Sequence, residues 1–173
     1  MNYFKLDTIK VDDVLLDYAK INNDIRWVYS GKGAQTGVQY LAPDDPFISA
    51  VGTIPTDKLE KDYNLTNPLF QNTLFEDIIK KYDLYRSRLM WVNGSSCYSI
   101  HRDNSPRLHI PLITNPDCMF IFPDSPELVH LLEGNIYAVN TLKKHSFCNF
   151  SSTPRLHFVG CISLNKYLEL TNS

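Results

Sequence analysis

Seven short segments rich in β-branched and aromatic residues occupy the second half of the chain, and they restrict the fold more than any other feature. Turn-forming Asn, Asp, Gly and Pro residues separate them, as expected for short strands joined by tight connections. The predicted strands are 88–92, 98–101, 107–113, 118–122, 129–132, 136–139 and 155–162. This spacing predicts a jelly roll or sandwich that is mainly β, with helices packed on its outside.

The first 84 residues show a different pattern, in which helical and extended segments alternate. Apolar residues at helical spacing predict helices over 11–21 and 67–81. Strands are predicted at 25–29 and 35–41, joined by a hairpin turn that contains Gly31 and Gly33. Residues 42–57 are rich in Pro and Asp and are expected to form an ordered loop.

The length of the chain favours a single domain. A chain of 173 residues with 43% hydrophobic residues can bury one proper core. We therefore expect one domain over residues 1–173, in which the N-terminal segment 1–84 packs on a jelly-roll core of residues 85–165.

Charge and cysteine spacing leave several classes of partner and site without support. The formal net charge is −2 and no run of Lys or Arg stands out, so we expect neither nucleic acid nor membrane as a partner. The N-terminus lacks a basic segment followed by an apolar one, which predicts a cytoplasmic protein. The four cysteines form no C-x-x-C pair, and we expect all of them to be reduced: Cys97, Cys118, Cys148 and Cys161. The oligomeric state stays open.

Four residues in the second half carry the most informative chemistry. His101 and Asp103 are one residue apart on a segment predicted to be extended, so both side chains can reach one ion. With His145 they would make two histidines and one carboxylate, the set that holds Fe(II) and leaves three coordination positions open. Arg155 begins the last long strand, where its guanidinium can enter the same pocket and hold a dicarboxylate through a fork of hydrogen bonds.

On these residues the sequence resembles the Fe(II)/2-oxoglutarate-dependent dioxygenases, nearest the aspartyl/asparaginyl β-hydroxylase and free-proline hydroxylase branches. The resemblance covers roughly residues 88–162, about half of the chain. The matching segments are His-Arg-Asp-Asn-Ser-Pro-Arg-Leu-His-Ile-Pro-Leu from position 101, Gly-Asn-Ile-Tyr-Ala-Val-Asn-Thr from position 134, His145, and Arg-Leu-His-Phe-Val from position 155.

The resemblance implies a double-stranded β-helix and a complete set of site residues. Iron would be held by His101, Asp103 and His145, and the far carboxylate of 2-oxoglutarate would pair with Arg155. The pair Arg107 and His109 matches residues that contact the cosubstrate in asparaginyl-type enzymes. The required components would be Fe(II), 2-oxoglutarate and O2, with ascorbate as an optional stimulant.

The resemblance also implies an activity, hydroxylation of an amino acid, free or within a protein, with release of succinate and CO2. The substrate would be a small molecule or a peptide. Animal members of the asparaginyl-type branch lack the carboxylate ligand that Asp103 supplies here, so their substrate does not carry over. A second reading stays open, a non-oxidative cupin-like module that binds a metal or ligand. Such a module has no need of an inward Arg155.

Two further residues are informative about the site and the strand that leads to it. His130 is a reserve metal ligand, but its apolar neighbours predict a packed side chain. Pro111 cannot donate to a strand ladder, and it therefore predicts an edge or a bulge in strand 107–113.

Overall fold

The computed structural model describes residues 1–172, which form thirteen strands, three α-helices and three short 3₁₀ helices. The strands are β1 (Tyr3–Thr8), β2 (Val28–Ser30), β3 (Gly33–Gly37), β4 (Gln39–Tyr40), β5 (Leu65–Thr66), β6 (Tyr85–Val92), β7 (Ser96–Cys97), β8 (Arg107–Ile113), β9 (Cys118–Ile121), β10 (Leu128–Val129), β11 (Asn135–Val139), β12 (Ser146–Asn149) and β13 (Arg155–Cys161). The helices are α1 (Val11–Ile21), α2 (Leu74–Tyr82) and α3 (Leu164–Thr171), and the 3₁₀ helices are Asn22–Asp24, Glu60–Asp62 and Pro68–Phe70.

Two antiparallel sheets form a double-stranded β-helix, as the sequence predicted. The large sheet has the order β1-β11-β8-β13-β6-β3-β2, and the smaller sheet has the order β10-β9-β12-β7. A cluster of buried side chains from both sheets, including Val92, Phe120, Val139 and Phe147, lies between them. The strands β4 and β5 form a separate two-stranded ribbon. The fold is thus mainly β, with helices on its outside.

The alternation of side chains along the central strands separates a hydrophobic face from a functional face. On β8, Leu108, Ile110 and Leu112 are fully buried in the cluster that also contains residues of all three α-helices. Arg107 and His109 point to the opposite face and line a cavity. The large sheet therefore presents its apolar face to the helices and its polar face to the inside of the β-helix.

Two local predictions in the β-rich half have clear outcomes. Pro111 lies at a register shift in the pairing of β8 with β13, so the predicted bulge is confirmed in a strand with neighbours on both sides. The strand predicted at 98–101 is wrong, because β7 ends at Cys97 and His101 pairs with His145 only through an isolated bridge.

In the N-terminal half the structure changes several predicted boundaries. Helix 11–21 is confirmed. The helix predicted over 67–81 is instead a 3₁₀ turn followed by α2, because Asn72 adopts a positive φ of 58° between them. The hairpin between β2 and β3 is confirmed, and Gly33 is required there, since a Cβ atom would lie 2.0 Å from the Trp91 carbonyl oxygen. The predicted strand 25–29 is displaced to β2, and the predicted strand 35–41 is divided into β3 and β4.

The expectation of four reduced cysteines is wrong for two of them. Cys97 and Cys148 are disulfide-bonded, 51 positions apart in sequence, whereas Cys118 and Cys161 are free and buried. The pairing of β7 with β12 places Cys97 directly opposite Cys148. The register of β7 and β12 decides this pairing, and the spacing of the cysteines in the sequence does not predict it.

Within the described part of the chain, no helix has the length and apolar character needed to cross a membrane.

Candidate metal centre

Three of the sequence-predicted residues converge at one end of the β-helix. The possible ligand atoms of His101, Asp103 and His145 all lie within 4.8 Å of one another. The Nε2 atoms of the two histidines lie 3.8 and 3.6 Å from the Asp103 carboxylate oxygens. Reciprocal backbone hydrogen bonds of 2.9 Å join His101 to His145, and the Asp103 N–H donates to the Thr141 carbonyl. These backbone contacts bring together residues that are 38 to 44 positions apart.

Both imidazoles are oriented by backbone carbonyl groups. His101 Nδ1 lies 2.8 Å from the Ser99 carbonyl oxygen, and His145 Nδ1 lies 3.0 Å from that of Lys143. Because a carbonyl can only accept, each Nδ1 carries the hydrogen, and each Nε2 offers its lone pair beside Asp103. Two imidazoles and one carboxylate are a donor set suited to a divalent first-row metal ion.

Burial favours the neutral form of His145. Desolvation is the largest influence and lowers the pKa of the His145 imidazole, and the neighbouring His101 and Arg107 add to this effect. The Lys143 carbonyl and Asp103 oppose it without reversing it. The ring is therefore neutral at pH 7, the form in which histidine binds metals.

A buried ion-pair network supports the Asp103 carboxylate. Arg107 Nε lies 2.7 Å from Asp103 Oδ2, and another nitrogen of the same guanidinium lies 3.2 Å from Glu60 Oε1. Glu60 is also paired with Arg86 at 2.5 Å and accepts a hydrogen bond from Ser105 Oγ. Arg107 thus holds Oδ2 of Asp103 in position, as hydrogen-bonding partners of the ligands do in metal sites.

Glu60 and Arg86 were not identified from the sequence. Burial raises the pKa of the Glu60 carboxyl, but the charges of Arg107 and Arg86 and the Ser105 hydrogen bond outweigh it, so the pKa is lowered. Burial also lowers the pKa of Arg107, yet the electrostatic influence of Cys161 and then of the Asp103 and Glu60 carboxylates raises it overall. Glu60 belongs to a 3₁₀ helix within a polar loop, where no motif distinguishes it.

A cavity of about 1030 Å³ adjoins the three convergent residues. Its wall includes all six residues that the sequence assigned to the site: His101, Asp103, Arg107, His109, His145 and Arg155. Residues 52–56 and 58–61 form another part of the wall.

Arg155 is buried in this cavity without an acidic partner. It is 2% exposed, and its guanidinium carbon lies 3.8 Å from the centre of the Phe147 ring. Its Nε and Nη1 atoms make no hydrogen bond, and no carboxylate among residues 1–172 pairs with it. Burial lowers the pKa of Arg155 to about 10, so the group is still charged at pH 7.

The remaining histidines have different surroundings. His109 lines the cavity, and its ring lies 5.0 Å from Phe120 and 5.9 Å from His157. Burial, followed by the charge of Arg155, lowers the pKa of both His109 and His157 far below the usual value, so both are neutral. His130 contacts the Cys118 carbonyl through Nδ1 and does not join the three convergent residues.

Comparison with solved structures identifies the class of fold as the jelly roll shared by 2-oxoglutarate oxygenases and other cupin-like proteins. No family model matches the sequence. A 2OG-Fe(II) oxygenase family oxidoreductase from Burkholderia pseudomallei matches with a TM-score of 0.58 and 10% identity, over 92% of this chain and 83% of that one.

Two other solved structures match over most of this chain. The viral collagen prolyl hydroxylase of Paramecium bursaria Chlorella virus-1, solved as a 2OG complex, gives a TM-score of 0.54 at 10% identity, over 93% of this chain and 95% of that one. The DMSP lyase DddQ of Ruegeria pomeroyi gives 0.52 at 11% identity, over 92% and 67%. At these identities the likeness concerns the fold, which hosts more than one chemistry.

Proposed function

We propose that the protein is an Fe(II)- and 2-oxoglutarate-dependent oxygenase that hydroxylates an amino acid, free or within a peptide. The observation that carries the proposal is the presence, in one cavity, of a His-Asp-His cluster and an unpaired buried guanidinium. Binding of 2-oxoglutarate requires two groups in the protein, a metal ion for the keto acid end and a cationic side chain for the far carboxylate. The cluster and Arg155 supply them.

His101 and His145 would bind iron through Nε2, and Asp103 through a carboxylate oxygen. Once bound, Fe(II) would supply open positions for the keto acid end of 2-oxoglutarate and for O2, and with them the oxidising chemistry. The Ser99 and Lys143 carbonyls hold the two rings with Nε2 facing Asp103. Arg107 would hold the Asp103 carboxylate in place through its Nε atom.

Arg155 would orient 2-oxoglutarate by pairing with its far carboxylate. A guanidinium presents a planar fork of N–H donors that matches both carboxylate oxygens. In the free protein this fork lies against the Phe147 ring and has unsatisfied donors. Binding of a carboxylate would therefore satisfy a buried charge that already exists. Phe120 and Phe147 line the same cavity and would exclude water from the reacting centre.

The structural neighbours support the proposal without extending it to a substrate. Two of them are a 2-oxoglutarate oxygenase and a collagen prolyl hydroxylase, but the third is a lyase on the same fold. The alternative is therefore a cupin-like module that binds a metal and a ligand without oxidation. The unpaired charge of Arg155 favours the oxygenase, because a metal-only site has no need of it.

The test is metal-dependent turnover of 2-oxoglutarate. Purified protein is supplied with Fe(II), 2-oxoglutarate, O2 and ascorbate, and succinate is measured together with hydroxylated products from a panel of amino acids and peptides by mass spectrometry. We expect succinate to form only when Fe(II) is present. Failure of the Mn(II)-loaded protein to bind 2-oxoglutarate would refute the oxygenase and leave the binding module.

A further inference from the structure

The cavity contains a second buried guanidinium that has no acidic partner, that of Arg88. It lies on β6, where the alternating residues Arg86, Arg88 and Met90 all line the cavity. Arg88 is 5% exposed, and its Nη1 donates to the Gln35 side-chain oxygen at 3.1 Å. Its Nε atom is buried without a hydrogen-bond partner in the described part of the chain. A buried N–H donor of this kind is unusual unless a ligand completes it.

Charge balance shows that Arg88 is the unmatched member of a group of three arginines. Arg86 and Arg107 share Glu60, and Arg107 also pairs with Asp103. No ion pair to Arg88 occurs within residues 1–172. Two carboxylates thus face three guanidiniums, which leaves one positive charge. Burial, with the charges of the other two arginines, lowers the pKa of Arg88 to about 9, so this charge persists at pH 7.

We propose that Arg88 and Gln35 bind a carboxylate group of the substrate, at a subsite separate from the one that Arg155 provides for the cosubstrate. This inference rests on the proposed function, since it assigns Arg155 to 2-oxoglutarate. The substrate is accordingly an acid, either a free amino acid or a peptide with an acidic side chain. A single negative charge balances the excess at Arg88, whereas a dianionic phosphate would exceed it.

The wall of the cavity as a whole favours an anionic ligand. Among the described residues that line it are five arginines and two lysines, against only two acidic residues. Lys61 and Arg102 are exposed at its mouth, where their charges attract anions from solution. The same field would disfavour a cationic substrate, which gives the site selectivity by charge.

The test uses propionate as a minimal carboxylate and propionamide as its neutral counterpart. Thermal unfolding is followed for the Mn(II)-loaded protein saturated with 2-oxoglutarate, and NaCl is exchanged for sodium propionate at constant ionic strength. We expect propionate at ten times its Kd to raise the Tm by about 4 °C and propionamide to have no effect. The Arg88→Gln variant should lose the shift, whereas Arg26→Gln, which removes an exposed arginine outside the cavity, should keep it.

A second arm keeps this test independent of the proposed function. In Arg155→Gln without metal or 2-oxoglutarate, propionate should still raise the Tm, and in the double variant with Arg88→Gln it should not. Arg88→Gln itself should unfold at a Tm no lower than wild type, because an unpaired buried charge is removed, and Arg88→Met provides a second variant that lacks the charge. An equal propionate shift in both Arg88 variants, no shift in the wild type, or an equal shift with propionamide would overturn the inference.

The source of the carboxylate is resolved with two larger probes in the same assay. Free aspartate represents a small acid, and the blocked tripeptide acetyl-Gly-Asp-Gly-amide represents an acidic side chain in a peptide. Stabilisation by either probe that disappears in Arg88→Gln supports the subsite and identifies its source. Equal stabilisation by counterparts that carry no carboxylate, asparaginamide in place of aspartate and acetyl-Gly-Asn-Gly-amide in place of the peptide, would contradict it.

Discussion

Replacing Arg155 by methionine should change stability and cosubstrate binding in opposite directions. Burial lowers the pKa of this guanidinium to about 10 on folding, which corresponds to roughly 3 kcal/mol by which burial disfavours its charged form. Because the folded pKa lies below the unfolded one, the penalty is fully present at neutral pH and is relieved only as the pH rises through about 10 towards the unfolded value. Methionine removes this penalty and nearly fills the same volume.

The gain is offset in part by a lost contact. The stacking of the guanidinium on the Phe147 ring contributes about 2 kcal/mol when it is desolvated. The net effect in the free protein is a stabilisation of about 1 kcal/mol, or a rise in Tm of roughly 3 °C. Binding should show the reverse, because loss of a charged hydrogen-bond donor costs about 1.5–3 kcal/mol, or a 10- to 150-fold increase in the Kd for 2-oxoglutarate.

Two measurements on the same protein samples check this pair of effects. Calorimetric titration of Mn(II)-loaded protein gives the Kd for 2-oxoglutarate, and thermal unfolding of the metal-free protein gives the Tm. Arg107→Met is the matched comparison, and it should lower the Tm because it leaves Asp103 and Glu60 with fewer partners. If Arg155→Met binds 2-oxoglutarate as tightly as the wild type, Arg155 does not hold the cosubstrate. If its Tm falls by several degrees, the charge is not an unpaired one.

Three further predictions follow from the metal centre, the ion-pair network and the disulfide. Asp103→Ala should abolish Fe(II)-dependent succinate formation, because two histidines alone hold the ion poorly. The control is Asp124→Ala, which removes an exposed carboxylate. Full activity in the Asp103 variant would remove Asp103 from the ligand set. Glu60→Gln should destabilise the fold by about 3 kcal/mol by leaving two buried arginines short of a charge. Folding lowers the pKa of Glu60, so the stability that its charge contributes is present above the unfolded pKa near 4.5 and is lost as the pH falls through the folded pKa. The difference in unfolding free energy between wild type and Glu60→Gln, measured by urea unfolding, should therefore shrink as the pH is lowered. A difference that does not change with pH would contradict this. Changing Cys97 and Cys148 to serine should lower the free energy of unfolding by up to about 4 kcal/mol, the chain-entropy value for a closed loop of 51 residues. Urea unfolding with and without reductant measures this contribution. Equal wild-type curves in the two conditions would show that the disulfide does not contribute to stability.

The candidate site residues were assigned from residue types and spacing, and Arg107 and His109 from the family resemblance. His101 and Asp103 are one residue apart in the sequence. His145 and Arg155 lie further along the chain, and the fold brings them to the same cavity. All six residues assigned from sequence line one cavity. The metal-binding role itself stays a prediction until an ion is bound. Arg107, which was assigned to the cosubstrate, lies against Asp103 and Glu60, so its surroundings point to support of the carboxylate.

The strands were predicted best where both faces are buried. The segment 107–113 matches β8 at both ends, because its alternating Leu, Ile and Arg residues follow the pleat. The strands β1 and β12 and the helix α3 were not predicted from the sequence. β1 pairs only with β11 at the edge of the large sheet, and its partly exposed side chains carry a weak pattern.

By itself, then, the sequence determined the β-rich class and the side-chain alternation along the central strands, since both depend on neighbours along the chain. Only the tertiary structure decided which charges are compensated. Glu60 lies between Arg86 and Arg107, whereas Arg88 and Arg155 form no ion pair with a carboxylate of residues 1–172. These pairings join residues 26 to 47 positions apart. Electrostatic energy depends on the distance between charges and on their burial, and neither quantity can be deduced from the order of the residues alone.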